Sequence, residues 1–156
     1  MKTGQKQSYQ QGDDGTYQKG AAWPNPRFTI GVAAGSNCVT DQLTGLMWLK
    51  NPDATERTWS DAITYCEGLN GDFCRGGYTD WRLPNLRELE SLVNLGEARP
   101  GVWLNTQGFT GVPSANYWSS TTFVASTGYA WYVPMSDGNV DLDGKKGARS
   151  VWPVRG

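Results

Sequence analysis

Histidine is absent from this 156-residue chain, and that absence removes the commonest general base, the commonest transition-metal ligand and the physiological-pH switch. Cysteine is scarce. The three thiols, Cys38, Cys66 and Cys74, allow one intramolecular disulfide and leave one cysteine over. No CxxC spacing occurs, so a tetrahedral zinc site lacks its ligands, and a cysteine nucleophile would have no imidazole to activate it. Charge is sparse as well, with 19% charged residues and a formal net charge of -1. No global basic field exists to draw nucleic acid or an anionic membrane. No apolar run approaches the roughly eighteen residues of a membrane-spanning helix, so membrane insertion is not expected. The opening Met1-Lys2-Thr3-Gly4-Gln5-Lys6-Gln7 lacks the apolar core of a signal peptide. The expectation is an exported chain whose leading methionine stands in place of a removed signal.

What is abundant is glycine (20), tryptophan (8) and tyrosine (7), within a 38% apolar composition. That mixture suits short strands, tight turns and a core built largely from aromatic rings, not a helical bundle. The length is that of one domain. Residues 1–22 are polar and nearly free of aliphatic side chains, with Gly12-Asp13-Asp14-Gly15 in their middle, and read as an N-terminal arm; residues 23–156 read as the single domain.

The chain is organised around residues 76–92. Asn85 with Glu88 three residues on has capping-box spacing, so a helix starts at Leu86, with Leu86, Leu89, Leu92 and Val93 on its packed side. Pro84 pushes Leu83 towards extended geometry, making residues 81–83 an arm with Trp81 inward and Asp80 and Arg82 free to tie the turn down. Upstream, residues 38–41 and 46–49 flank Gln42-Leu43-Thr44-Gly45 as a hairpin. Thr58 caps a second helix over about residues 59–69, with Trp59, Ala62, Ile63, Cys66 and Leu69 as its apolar stripe and Asn70-Gly71 as its stop. Residues 96–116 form a long loop that either wraps the core or carries function. From Tyr117 onward the pattern is strand after strand, with Asp137-Gly138 as a two-residue hairpin turn. Pro153 places the last strand at an edge or a bulge.

Together these motifs resemble the Lcl C-terminal domain family. They are Thr44-Gly45-Leu46-Met47-Trp48, Trp59 with Ala62, Gly77-Tyr78-Thr79-Asp80-Trp81-Arg82-Leu83-Pro84-Asn85 with Glu88-Leu89, Tyr117-Trp118-Ser119-Ser120-Thr121, and Val151-Trp152-Pro153-Val154-Arg155. The resemblance spans about residues 28–156. It implies an α+β, C-type-lectin-like fold, two helices beside a twisted, mostly antiparallel sheet with long loops, in an exported bacterial domain. It further implies a cell-surface adhesion role, including binding of sulfated polysaccharide. Related lectin-like domains also serve as the diversified variable proteins of retroelement systems. The shared motifs are core and turn residues, so they carry a fold further than a ligand.

Candidate chemistry is thin. Cys38 and Cys74 both flank glycine-rich turns and are the favoured disulfide, with Cys66 a buried free thiol; a Cys66–Cys74 bridge or three free thiols are the alternatives. Asp141-Leu142-Asp143-Gly144 opens like a calcium loop but lacks the later carboxylates, and reads as a turn after a strand. Paired carboxylates for glycoside hydrolysis could be picked from Asp80, Glu88 and Glu90, but Glu88 is already used as a cap partner. The expectation is a binding module, not an enzyme, with no cofactor and no metal, recognising a polysaccharide or a protein. Strand alternation puts Trp131, Val133, Met135, Val140 and Leu142 inward. It leaves Tyr132, Ser136, Asn139, Asp141 and Asp143 outward, beside a basic cluster of Lys145, Lys146 and Arg149 and the loop at residues 124–129. That face is the expected ligand surface, with Tyr132 as its rigid anchor.

Overall fold

A computed structural model describes residues 1–31, 37–69, 74 and 77–156. In chain order the elements are α1 (Asp14–Tyr17), β1 (Phe28–Ile30), β2 (Cys38–Asp41), β3 (Met47–Leu49), β4 (Asp53–Arg57), α2 (Trp59–Glu67), α3 (Leu86–Ser91), α4 (Pro100–Asn105), β5 (Asn116–Thr122), β6 (Tyr129–Pro134), β7 (Asp141–Gly144), β8 (Arg149–Val151) and β9 (Val154–Arg155). The architecture is α+β with two sheets, ordered β1-β2-β3-β9 and β4-β8-β5-β6-β7. Among the described residues every strand pairing is antiparallel except β5 with β8.

The local signals act as their chemistry dictates. Glu88 N–H donates to Asn85 Oδ1 at 3.0 Å while Asn85 N–H donates to Glu88 Oε2 at 2.7 Å, so the capping box is complete and α3 begins at Leu86. Asp61 N–H donates to Thr58 Oγ1 at the start of α2. That helix ends at Glu67 with Gly68 as its cap, earlier than the expected Leu69; the Asn70-Gly71 stop lies outside the described residues, as does Gly76. Residues 38–49 form the expected hairpin, with Gly45 at positive φ closing its turn.

Pro153 marks where the chain changes sheets. β8 ends at Val151 beside β4 and β5, and β9 starts at Val154 on the edge of the other sheet against β3. A residue with no N–H to give a ladder sits where ladder pairing is interrupted. Trp152, beside it, is fully buried and touches Trp48, Phe109 and Tyr117, while its Nε1 donates to Leu49 O at 2.8 Å. Other indoles tie elements in the same way: Trp59 Nε1 donates to Ser119 O at 2.8 Å and Trp118 Nε1 to Arg57 O at 3.0 Å. The rings therefore supply both buried area and cross-links, which lets a chain with so many short elements hold together.

The long loop wraps that core. Pro100 opens α4, where a missing N–H costs nothing, and Leu104, Phe109 and Val112 bury themselves beside α3. Cys38 and Cys74 are bridged, and Cys66 is a free, buried cysteine. The bridge joins β2 to a small cluster of Leu49, Leu69 and Trp81.

Two expectations about the C-terminal strands are corrected. The β6–β7 register pairs Tyr132 with Asp141, so Asp137-Gly138 belongs to a longer connection and not to a two-residue hairpin turn. The sheet is also covered on both faces. Tyr117, Val133 and Met135 enter the main core, whereas Trp118, Ala130 and Tyr132 face a second cluster with Ala62 and Cys66 of α2. Trp131, Val140 and Leu142, expected inside, are only partly buried.

Candidate functional site

Tyr132 is not an exposed anchor. It is 9% exposed and stands edge-on to Trp118 at 6.1 Å between ring centroids, and its hydroxyl donates to Asp141 Oδ2 at 3.1 Å. Burial pushes its phenol above the ordinary tyrosine value and the Asp141 carboxylate adds to the shift. α2 covers the face that alternation alone assigned to solvent.

Around Tyr132 the structure does gather much of the predicted surface. The Arg149 guanidinium lies 4.8 Å from the Tyr132 ring centre and pairs with Asp143. Lys145 sets its ammonium 3.7 Å from the Trp59 ring centre and donates to Thr122 Oγ1 at 2.8 Å. Its N–H donates to Gly128 O at 2.8 Å, which ties in the loop at residues 124–129. Lys146 is exposed at the tip of the same β7–β8 connection. Tyr132, Asp141, Asp143, Lys145, Lys146 and Arg149 thus share one rim of the sheet. Ser136 and Asn139 do not join them: they lie in the β6–β7 connection, where Gly138 is pressed against Val93 and Pro100 so closely that a Cβ would meet Val93 Cγ1 at 2.5 Å.

Within the basic cluster Asp143 neutralises Arg149, whereas Lys145 is held by the Trp59 ring and the Thr122 hydroxyl. Neither aspartate resembles a calcium ligand set: Asp141 accepts from Tyr132 and from Leu142 N–H, Asp143 from Arg149 and from Gly144 N–H. Among the described residues no group of three or more acidic or cysteine side chains could hold a metal ion. Asp80, Glu88 and Glu90 are each held by a different arginine, Arg155, Arg82 and Arg87 respectively. Burial pushes the Cys66 thiol up to about 12, far from a reactive thiolate.

A second concave surface escaped the sequence reading. The N-terminal arm folds back along the turn after α3: Leu95 N–H donates to Thr3 O at 3.0 Å, and Trp23 Nε1 to Lys2 O at 3.0 Å. Between arm and body lies a groove of about 630 Å³ whose aromatic wall is Trp23, Phe28 and Trp103. Its foundation is Arg27, 5% exposed, which grips both oxygens of Asp41 and donates to Ser91 O at 2.5 Å while lying 4.5 Å from the Trp23 ring centre and 4.6 Å from that of Phe28. The signal in the sequence was Trp23-Pro24-Asn25-Pro26, an aromatic held on stiff chain; its partner Trp103 lies eighty positions on.

Fold and surfaces together define a small, disulfide-stapled α+β domain with two polar-aromatic surfaces. The Lcl C-terminal domain family model matches residues 37–155, and the chain belongs to that family. No curated protein matches it. The disulfide fits an extracytoplasmic location. Among the described residues no helix is long and apolar enough to cross a membrane.

Proposed function

We propose that this chain is an extracytoplasmic binding module, not an enzyme, that takes a polysaccharide or a protein partner on the rim formed by β7, the β7–β8 connection and residues 124–129. The observation that carries the reading is the fixing of charged groups by rings: Lys145 on Trp59, and Arg149 on Tyr132 with Asp143. Side chains already ordered before a ligand arrives lose little freedom on binding, which favours affinity without chemistry. Carboxylates each held by its own arginine and a deeply buried thiol favour binding over catalysis. Lys145 and Lys146, adjacent on the connection, suit a sulfated polysaccharide; Val124 and Tyr129, 89% and 46% exposed beside them, suit a protein.

Heparin chromatography separates the two. Retention that weakens with salt and is lost in Lys146→Glu supports the polyanion. Indifference to heparin, with capture of a protein partner that Lys146→Glu and Val124→Asp abolish, supports the protein. A ligand whose binding ignores both substitutions places recognition elsewhere and defeats the reading.

A further inference from the structure

We infer that the groove between the N-terminal arm and the body is a second ligand site, and that its ligand class is a neutral saccharide. The inference stands apart from the rim, since the groove contains none of residues 124–149. Its volume of about 630 Å³ lies within the range, about 300–1,000 Å³, of sites that enclose small molecules.

The lining specifies the chemistry. Trp23 and Trp103 stand 5.8 Å apart at an interplanar angle of 42°, with Phe28 5.9 Å from Trp103, so the wall is a set of ring surfaces. Ring faces carry partial negative charge and attract the C–H face of a sugar ring through dispersion and electrostatics. The polar lining is dominated by amides, among them Asn25, Asn94 and Gln107. An amide both donates and accepts, as a sugar hydroxyl does. A purely apolar ligand would displace water from the amide groups that have no protein partner, such as Asn94 Nδ2, without replacing its hydrogen bonds.

Charge does not single out an anionic ligand. Arg27 is the only buried cation of the lining, and Asp41 neutralises it through two hydrogen bonds at 3.0 and 2.8 Å. The remaining charges are Lys2, Lys6 and Glu97, of mixed sign.

Asn94 supplies the most specific pointer. It is 7% exposed, and its Oδ1 is fixed by the Gly96 N–H at 2.9 Å. That bond orients the amide and leaves Nδ2 as a donor with no protein partner, on a residue that lines the groove. An oriented, unengaged and accessible donor on an otherwise enclosed residue is what a ligand hydroxyl would complete.

The test is an indole N–H titration of the full chain by NMR with chitohexaose, cellohexaose and mannohexaose, each to about 10 mM, a ceiling that still detects weak sites. At least one probe should move the Trp23 and Trp103 signals, with an affinity unchanged by salt. Trp103→Ala should weaken that binding about tenfold or more. Because Trp103 also packs on the core, Asn94→Asp is the second variant: it keeps the acceptor for Gly96 and deletes the donor, and should weaken binding comparably with the tryptophan spectrum of the free protein retained. Lys146→Glu should leave saccharide binding unchanged, so failure here and failure of the rim are separable. The inference is overturned if no probe moves these two signals, if binding survives both groove variants, or if only heparin binds and salt removes it.

Discussion

Arg82 grips both oxygens of Glu88, Nη1 to Oε2 at 2.7 Å and Nη2 to Oε1 at 2.6 Å, while its backbone pairs with Val154. One residue therefore connects the capping box of α3 to the last strand, and Asp80 repeats the device by holding Arg155 of β9. Burial pushes the Glu88 carboxyl up, but Arg82 and the Asn85 N–H outweigh it and the net shift is downward; the Arg155 guanidinium likewise lowers Asp80. Carboxylates lowered in the folded state stabilise it above their unfolded pKa of about 4 and lose that contribution as pH falls through the folded values. Melting temperature should therefore drop on acidification below about pH 4. Glu88→Gln should melt lower at neutral pH and show a shallower acid slope. Superimposable acid limbs for the two proteins would remove Glu88 from the account.

The buried pair of Arg27 and Asp41 is a larger liability when broken. Both side chains are almost wholly enclosed, with Asp41 in the last pair of the β1–β2 ladder and Arg27 immediately before β1. Asp41→Ala leaves a buried guanidinium with only Ser91 O, and should cost about 3–5 kcal/mol in denaturant unfolding. It should also disturb the Trp23 and Phe28 rings that rest on Arg27. A loss near zero would mean that Arg27 swings out to water.

The Cys38–Cys74 bridge closes a loop with a sequence separation of 36 that contains β3, β4 and α2. Its loss in Cys38→Ala/Cys74→Ala should cost about 2–4 kcal/mol. Cys66, fully buried in the cluster beneath α2, should resist alkylation until the protein unfolds. Peptide mapping without reductant tests the pairing, and rapid labelling of Cys66 in the native protein would contradict its burial.

What the sequence made legible was local. Asn85 with Glu88, Thr58 with Asp61, and the turn closed by Gly45 act within three or four residues, so their chemistry is written side by side. β4 leaves no sequence signal because Asp53–Arg57 is an edge strand of mostly exposed polar residues with no apolar alternation to read. α4 is not legible in the sequence because Pro100-Gly101 is a breaker pair anywhere except at a helix start. At Tyr132 alternation correctly separated two faces, yet it cannot say that a helix from seventy residues earlier covers the second one. The groove needed Trp23, Trp103 and the arm at once, and Arg27 with Asp41 needed the β1–β2 register; neither is a pattern in sequence.

That covering of Tyr132 changes how the rim must be tested. Tyr132→Phe removes only the hydroxyl that donates to Asp141, and should cost about 0.5–1.5 kcal/mol with the fold intact. Tyr132→Ala empties a packed position against Trp118 and Ala62 and should cost about 3–5 kcal/mol, so any loss of binding it causes would report on folding. Lys146→Glu, at an exposed position, should change stability by less than about 0.5 kcal/mol. The expected order of melting temperatures is Lys146→Glu nearest the parent protein, Tyr132→Phe below it and Tyr132→Ala far below. If Tyr132→Ala melts with the parent protein, the ring is not part of the second core, and the outward-facing anchor that alternation implied regains its place.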